Sequence, residues 1–246
     1  MANWKKNTTL TYEGENEIEF NSANLGNFYI GKPSPMPEDA KRVGGRIFYG
    51  HFDNQANYRF FTRGQTEITD WSIPEGGGLP IGLDNAYYYT SDKAEGVADR
   101  FYVFDNINGL QIDKQWGKYK TQIGKYKVAP YKTDGIGQGK INTKACLDAY
   151  DDWEDNSIFA YIKSCNENKL LGCDDWYIGS KAEQNKLYTV KSVVDIDWAN
   201  TGIWSSIEED GYQSWIYSFN DEDWYLLQRN YAHYVRYYAC FAMRSF

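Results

Sequence analysis

Helical periodicity in this chain is confined to one stretch, residues 142–198, and short strand-like runs lie on both sides of it. That order constrains the fold more than any other feature. A parallel α/β protein alternates strands with crossover helices, whereas strands, then helices, then strands reads as α+β. The first helical signal opens at Asn142 and Thr143, whose short side-chain oxygens suit a helix cap. Cys146, Ala149, Tyr150 and Trp153 then fall on one face, and Ile158, Phe159, Ile162 and Cys165 continue it past a break at Asp155-Asn156. A second helix starts at Ser180-Lys-Ala-Glu183, a capping box, carries Leu187, Val190 and Val194 as its apolar stripe, and ends near Asp195–Trp198.

On the N-terminal side, Val43–Tyr49 and Phe101–Phe104 read as buried strands, and Tyr126–Ala129 as a shorter one. Residues 50–100, with Gly76–Gly78 and Tyr87–Tyr89, give no clear pattern. Before Val43, Thr8–Tyr12 and Glu17–Phe20 alternate like short strands, and the proline-rich run Gly31–Pro37 interrupts the chain. The expectation is an N-terminal attachment segment over 1–42 and a main domain over 43–246. Beyond Gly202 the pattern turns to β, with strands expected at Ile203–Ser206, Ser214–Phe219, Trp224–Leu227 and Ala239–Met243.

Several function classes lose support at this level. A net charge of -8 with no basic stripe argues against nucleic-acid binding. Four cysteines without CxxC spacing and only two histidines, His51 and His233, argue against a structural zinc site, so the thiols are expected to be buried small hydrophobes. No metal and no cofactor is expected. The N-terminus lacks the apolar core of a signal peptide and no run approaches membrane-spanning length, which predicts a chain not inserted in a membrane. Gly135–Lys140 fails the Walker spacing and has Ile141 where Ser or Thr is required, so it reads as a turn before a helix. The acidic runs 151–155, 208–210 and 221–223 contain no EF-hand loop and read as solvated loop charge.

The unusual quantity is aromatic content, 17% of the chain with 22 Tyr and 9 Trp. Such side chains give large contact area with few rotatable bonds, in a β core or in a recognition surface.

An ordered set of segments resembles a known group. Gly137-Gln-Gly-Lys-Ile-Asn-Thr143, followed by a helix and Asp174-Asp-Trp-Tyr-Ile-Gly-Ser-Lys-Ala-Glu-Gln-Asn-Lys-Leu-Tyr188, is similar to the GxGxxNT … DWxLPSKxELNxLY pattern of bacterial and phage C-type-lectin-like domains of the FISUMP type. Val43–Tyr49, Trp204-Ser-Ser206, the Trp215 strand and the terminus Ala242-Met-Arg-Ser-Phe246 extend the resemblance in order. Ile178-Gly179 departs from it, standing where the family has Leu-Pro. The resemblance implies an α+β C-type-lectin-like fold with two helices, short antiparallel sheets and a short N-terminal extended segment. It also includes the variable proteins of diversity-generating retroelements, whose last stretch forms an exposed ligand-binding face. Thirteen of the 44 residues from Ile203 to Phe246 are aromatic, so the composition concentrates where that face would lie.

The contact residues so implied are Tyr212, Trp215, Tyr217, Asp221, Asp223, Trp224, Tyr225, Tyr231, His233, Tyr234 and Arg236, with Trp204, Phe219 and Phe246 assigned to the core. The expected function is non-catalytic recognition of a protein or glycan on a cell surface. The expected setting is a phage tail or a bacterial surface, with oligomerisation or virion attachment through the N-terminal segment. The rivals are an oxidase of the formylglycine-generating type, which shares the fold but uses reactive cysteines, and a fixed structural virion or surface protein.

Overall fold

The computed structural model describes residues 9–12, 16–19, 35–50, 58–69, 71, 86–90, 101–126, 128–190, 201–231 and 237–246. It is a mixed α+β structure. A hairpin of β1 (Thr9–Tyr12) and β2 (Asn16–Glu19) stands first. β3 (Lys41–Arg42), β5 (Tyr58–Phe61), β6 (Glu67–Ile68) and β7 (Tyr87–Thr90) form a four-stranded sheet in the order β3-β7-β5-β6. This sheet occupies the region whose sequence pattern was unclear; Gly76–Gly78 lie outside the described residues. β4 (Arg46–Gly50), β8 (Phe101–Phe104) and β13 (Met243–Ser245) form a second sheet, with β8 central. β4 starts later than the apolar run because Gly44 and Gly45, at φ 71° and 143°, turn the chain first. The sheet joins both ends of the main body: Phe101 and Phe246 exchange backbone hydrogen bonds of 2.9 and 3.1 Å.

The third sheet holds β9 (Thr201–Glu208), β10 (Gln213–Ser218), β11 (Asp223–Gln228) and β12 (Tyr237–Ala239), ordered β11-β10-β9-β12. The sequence placed one strand over Ala239–Met243. The chain instead divides there between two sheets, β12 running parallel to β9 and β13 antiparallel to β8. No strand forms at Tyr126–Ala129. Tyr126 and Val128 are exposed in a turn that closes Val128 N–H onto Lys125 O, and residue 127 is outside the described set.

Among the described residues three α-helices are present, against an expectation of two: α1 (Gln138–Ala149), α2 (Ile158–Glu167) and α3 (Lys181–Thr189). The break at Asp155-Asn156 is a complete one, because Ser157 caps a new helix by accepting the Ala160 N–H. α3 starts as predicted, with both hydrogen bonds of the capping box present. Val194 and the predicted end of this helix fall outside the described residues. Asn142 and Thr143 do not cap α1. The helix begins four residues earlier, after Gly137 in the left-handed region, and both side chains are buried in its interior. Asn142 Nδ2 donates to Thr133 O and Ser206 Oγ, and Thr143 Oγ1 accepts the Ile178 N–H at 2.9 Å, so α1 is bonded to β9 and to the strand-like approach to α3.

The glycines at the start of α1 meet one buried carboxylate. The Glu183 carboxylate closes its own capping box by accepting the Ser180 N–H (2.7 Å), and it also accepts the Gly137 and Gly139 N–H groups, each at 3.1 Å. One buried carboxylate thereby serves the N-termini of two helices, where free amides and helix dipoles favour negative charge. Burial pushes its pKa up against the pull of these amides. A Cβ on Gly139 would overlap Glu183 Oε2 and lie 2.7 Å from the Ile178 carbonyl oxygen. Gly139→Ala is therefore expected to destabilise by about 2–3 kcal/mol, in the range for overpacking a filled core, as a lowered midpoint in urea unfolding.

The apolar core has three clusters. One gathers Trp116, Phe159, Trp176, Trp204 and Ile216 between α1, α2 and the third sheet; another holds Phe48, Tyr102, Tyr177, Leu187 and Ile203; a third packs Phe60, Phe101 and Val103. Trp204 is buried as expected, while Phe246 is half-buried and stacks on Tyr88 at 3.8 Å between centroids. The motif segments meet here. Arg244 grips Asp175 with two nitrogens (2.7 and 3.1 Å) and reaches the Arg42 and Val43 carbonyls, joining the terminal segment to the Asp174-Asp-Trp176 run and to β3. All four cysteines are buried and unpaired. Among the described residues no helix is long and apolar enough to cross a membrane.

Candidate functional site

The predicted contact residues do not form one surface, because strand alternation divides them. In the β10–β11 register Trp215 lies opposite Leu226 and Tyr217 opposite Trp224, so these four share a face. Ile216, Tyr225 and Leu227 belong to the other face, where Ile216 and Leu227 pack into the Trp116 cluster. Tyr225, 43% exposed, therefore points away from Trp224. Tyr212, 53% exposed, is in the β9–β10 turn at the opposite end of the hairpin, edge-on to Tyr119 at 5.6 Å. Asp221 and Asp223 are exposed at the β10–β11 turn; Asp221 accepts the Ser218 hydroxyl and Asp223 the Trp224 N–H, both at 2.7 Å. Tyr231, 38% exposed, follows β11. His233, Tyr234 and Arg236 lie outside the described residues.

The Trp215–Trp224 face is completed by α3, none of whose residues is among the contact residues expected from the sequence. Lys181, Asn185 and Tyr188 follow i, i+4, i+7 spacing and share one side of that helix, whereas Glu183, Gln184 and Leu187 point inward. Lys181 Nζ is 3.7 Å from the Trp215 ring centroid and 5.1 Å from that of Trp224. Such cation–π contacts are worth about 0.5–1 kcal/mol at exposed sites and fix the ring orientations. Trp224 Nε1–H donates to Asn185 Oδ1 and Trp215 Nε1–H to Glu209 Oε2, each at 3.0 Å. Beneath them Tyr217, only 5% exposed, is the floor: it packs edge-on to Trp224 (5.2 Å) and against Tyr188 (4.9 Å) and Phe219 (5.0 Å). Tyr217 is thus a support and not a contact residue. Phe219, assigned to the core, is half-buried in this floor. Trp215, Trp224 and Lys181 are half-buried, and Leu226 and Asn185 are exposed at the rim.

The strands carrying this face are pinned from behind by a buried ion pair. Glu208 ends β9, Arg229 follows β11, and both side chains are fully buried, with Nη1 to Oε1 at 2.8 Å. Glu208 also accepts the Ile123 and Gly124 N–H groups, while Arg229 donates to Gly117 O and Thr121 O and lies 3.8 Å over the Trp116 ring. Desolvation pushes the carboxyl pKa up and the guanidinium pKa down, a sign of what burying the pair costs. The acidic run 208–210 is therefore not solvated loop charge. Its members hold the pair, the Trp215 indole and the Tyr212 and Gln213 amides, respectively.

Other places offer less chemistry. An open depression of about 460 Å³ beside α2 is lined by Asn108, Gln111, Tyr161 and Asn168, but the three amide side chains already donate within the fold. The thiols of Cys146, Cys165, Cys173 and Cys240 are all pushed up by burial, Cys165 to about 11, which disfavours the nucleophilic thiolate. Among the described residues no three His, Cys, Asp or Glu side chains converge as metal ligands. What the Trp215–Trp224 face can do is hold a ligand non-covalently, with indole and aliphatic area, one cation and the Asn185 amide at its rim. Comparison with known proteins gives no match: no family model fits the chain, and neither a curated protein nor a solved structure matches it significantly.

Proposed function

We propose that this chain is a non-enzymatic recognition protein on a C-type-lectin-like scaffold, with Trp215, Trp224, Leu226, Lys181 and Asn185 as its contact surface. The observation that carries the reading is the placement of two half-exposed indoles around a lysine on strands that a buried ion pair holds rigid. Aromatic anchors on a preorganised support give affinity at low entropic cost. The ordered motifs support the scaffold: Gly137 and Gly139 meet Glu183, and Asp175 meets Arg244, so the similar segments are those that interlock. Burial of every cysteine weighs against the oxidase alternative.

The favoured ligand is a protein on a cell surface, because the lysine occupies the space over the rings where a sugar would stack. The setting fits a phage tail or bacterial surface, with the chain ahead of β3 as the attachment segment, since β3 itself belongs to the four-stranded sheet with β7. Labelled chain is expected to adhere to some members of a panel of whole bacterial cells. Adhesion should fall at least tenfold with Trp215→Ser/Trp224→Ser and after protease treatment of the cells. Loss on periodate treatment alone would point to a glycan, and unchanged adhesion of the double variant would remove this face from recognition. Diversification by a retroelement predicts a reverse-transcriptase gene nearby and an imperfect copy of the 3′ coding end that differs at adenines.

A further inference from the structure

Among the described residues nothing pairs with the outer edge of β11. Edge strands normally carry charges, are kept short or are covered, since their free amides and carbonyls template pairing with another chain. The other edges of the three larger sheets follow that rule. β3 is Lys41–Arg42 alone, β6 has two residues, β12 three, and β13 three with Arg244 at its centre. β4 begins on Arg46 and is flanked by α3, whose Lys186 lies over Tyr49. β11 has six residues, no charge between Asp223 and Arg229, and Tyr225 and Leu226 exposed.

The register shows which backbone groups face outward. Arg229 N–H donates to Tyr212 O at 2.9 Å, so that pair is of the hydrogen-bonded type. By alternation the Leu227, Tyr225 and Asp223 groups face β10, and those of Trp224, Leu226 and Gln228 face away. Two of these six outward groups are engaged: Trp224 N–H with Asp223 Oδ1, and Gln228 C=O with Tyr231 N–H. Those with no partner among the described residues are both groups of Leu226, the Trp224 C=O and the Gln228 N–H.

We infer that this edge pairs with the same edge of a second copy of the chain, antiparallel, with Leu226 on the two-fold axis. In that register the two Leu226 residues exchange N–H and C=O bonds, and each Gln228 N–H donates to the Trp224 C=O of the second copy. The two engaged groups, Trp224 N–H and Gln228 C=O, face each other, so every free group is satisfied and none is left over. A strand complementary to itself in this way fits an isologous dimer. Centring on Trp224 would set Glu222 against the second copy's Leu226, and centring on Gln228 runs past the strand end. The Leu226 register keeps the acidic turns apart and makes the two Trp215–Trp224 faces one continuous surface. The inference stands apart from the recognition reading, since a monomer could still adhere to cells.

Sedimentation equilibrium of the full chain should give twice the chain mass, and Leu226→Lys, which sets like charges opposite each other, should halve it while circular dichroism is unchanged. Leu226→Cys should oxidise to a covalent dimer, because paired residues lie within disulfide reach and the four native thiols are buried. Glu222→Cys should cross-link far less. A wild-type chain that sediments as a monomer, a Leu226→Lys dimer, or equal cross-linking of the two cysteine variants would each overturn the assignment.

Discussion

Arg229→Ala should lower the stability of the fold by about 3–5 kcal/mol, the cost of leaving one member of a buried ion pair without the other. The Glu208 carboxylate would keep its two amides but lose its partner cation in a fully buried site, and the Gly117 and Thr121 carbonyls would lose donors. The Trp116 ring would also lose the guanidinium stacked on it. Equilibrium urea unfolding followed by far-UV circular dichroism measures the effect. The double variant Glu208→Gln/Arg229→Met should cost less than the sum of the single changes, because the uncompensated charge is removed. Strict additivity would mean that the two side chains act independently.

The second large effect concerns Glu183. Glu183→Ala should cost about 3–5 kcal/mol, since three backbone N–H donors lose an acceptor in a buried site and each orphan costs about 1–3 kcal/mol. Glu183→Gln separates two accounts of this residue. A glutamine serves an ordinary capping box well, so a role confined to α3 predicts a nearly silent change. Because α1 is bonded to the same carboxylate, glutamine would turn an NH₂ toward an amide donor, and a clear loss of stability is expected in thermal unfolding.

The legible parts of the fold were those carried by local chemistry. Ser180 and Glu183 specify a helix start within four residues, and the alternation at Thr8–Tyr12 and Glu17–Phe20 marks the β1–β2 hairpin. What escaped the sequence was long-range. Asn142 and Thr143 have cap chemistry, and only their distant partners at Thr133, Ser206 and Ile178 show why they sit inside a helix. Gly137 and Gly139 read as a turn because the carboxylate that binds both amides, and leaves no room for a Cβ at Gly139, is more than 40 residues away. Glu208 reads as solvated loop charge for the same reason, since its partner Arg229 is 21 residues away.

In the candidate site, Trp215 and Trp224 are among the contact residues that the resemblance implies. Tyr217 and Tyr225 needed the register, which sends one beneath the face and the other behind it. Lys181, Asn185 and Tyr188 were missed although their i, i+4, i+7 spacing is visible in the sequence. The capping box drew attention to the inward side of α3, and nothing local says which strand its outward side meets.

The central claim is that the Trp215–Trp224 face is a recognition surface on a scaffold that does not depend on it. Thermal unfolding of the triple variant Trp215→Ser/Trp224→Ser/Leu226→Ser tests this most directly, with Arg229→Ala as the reference. Half-exposed side chains on a supported sheet contribute less than a buried charge pair. The triple variant is expected to fold, with a melting temperature above that of Arg229→Ala. A triple variant that melts below Arg229→Ala, or fails to fold, would show that the indoles are structural and contradict the recognition reading.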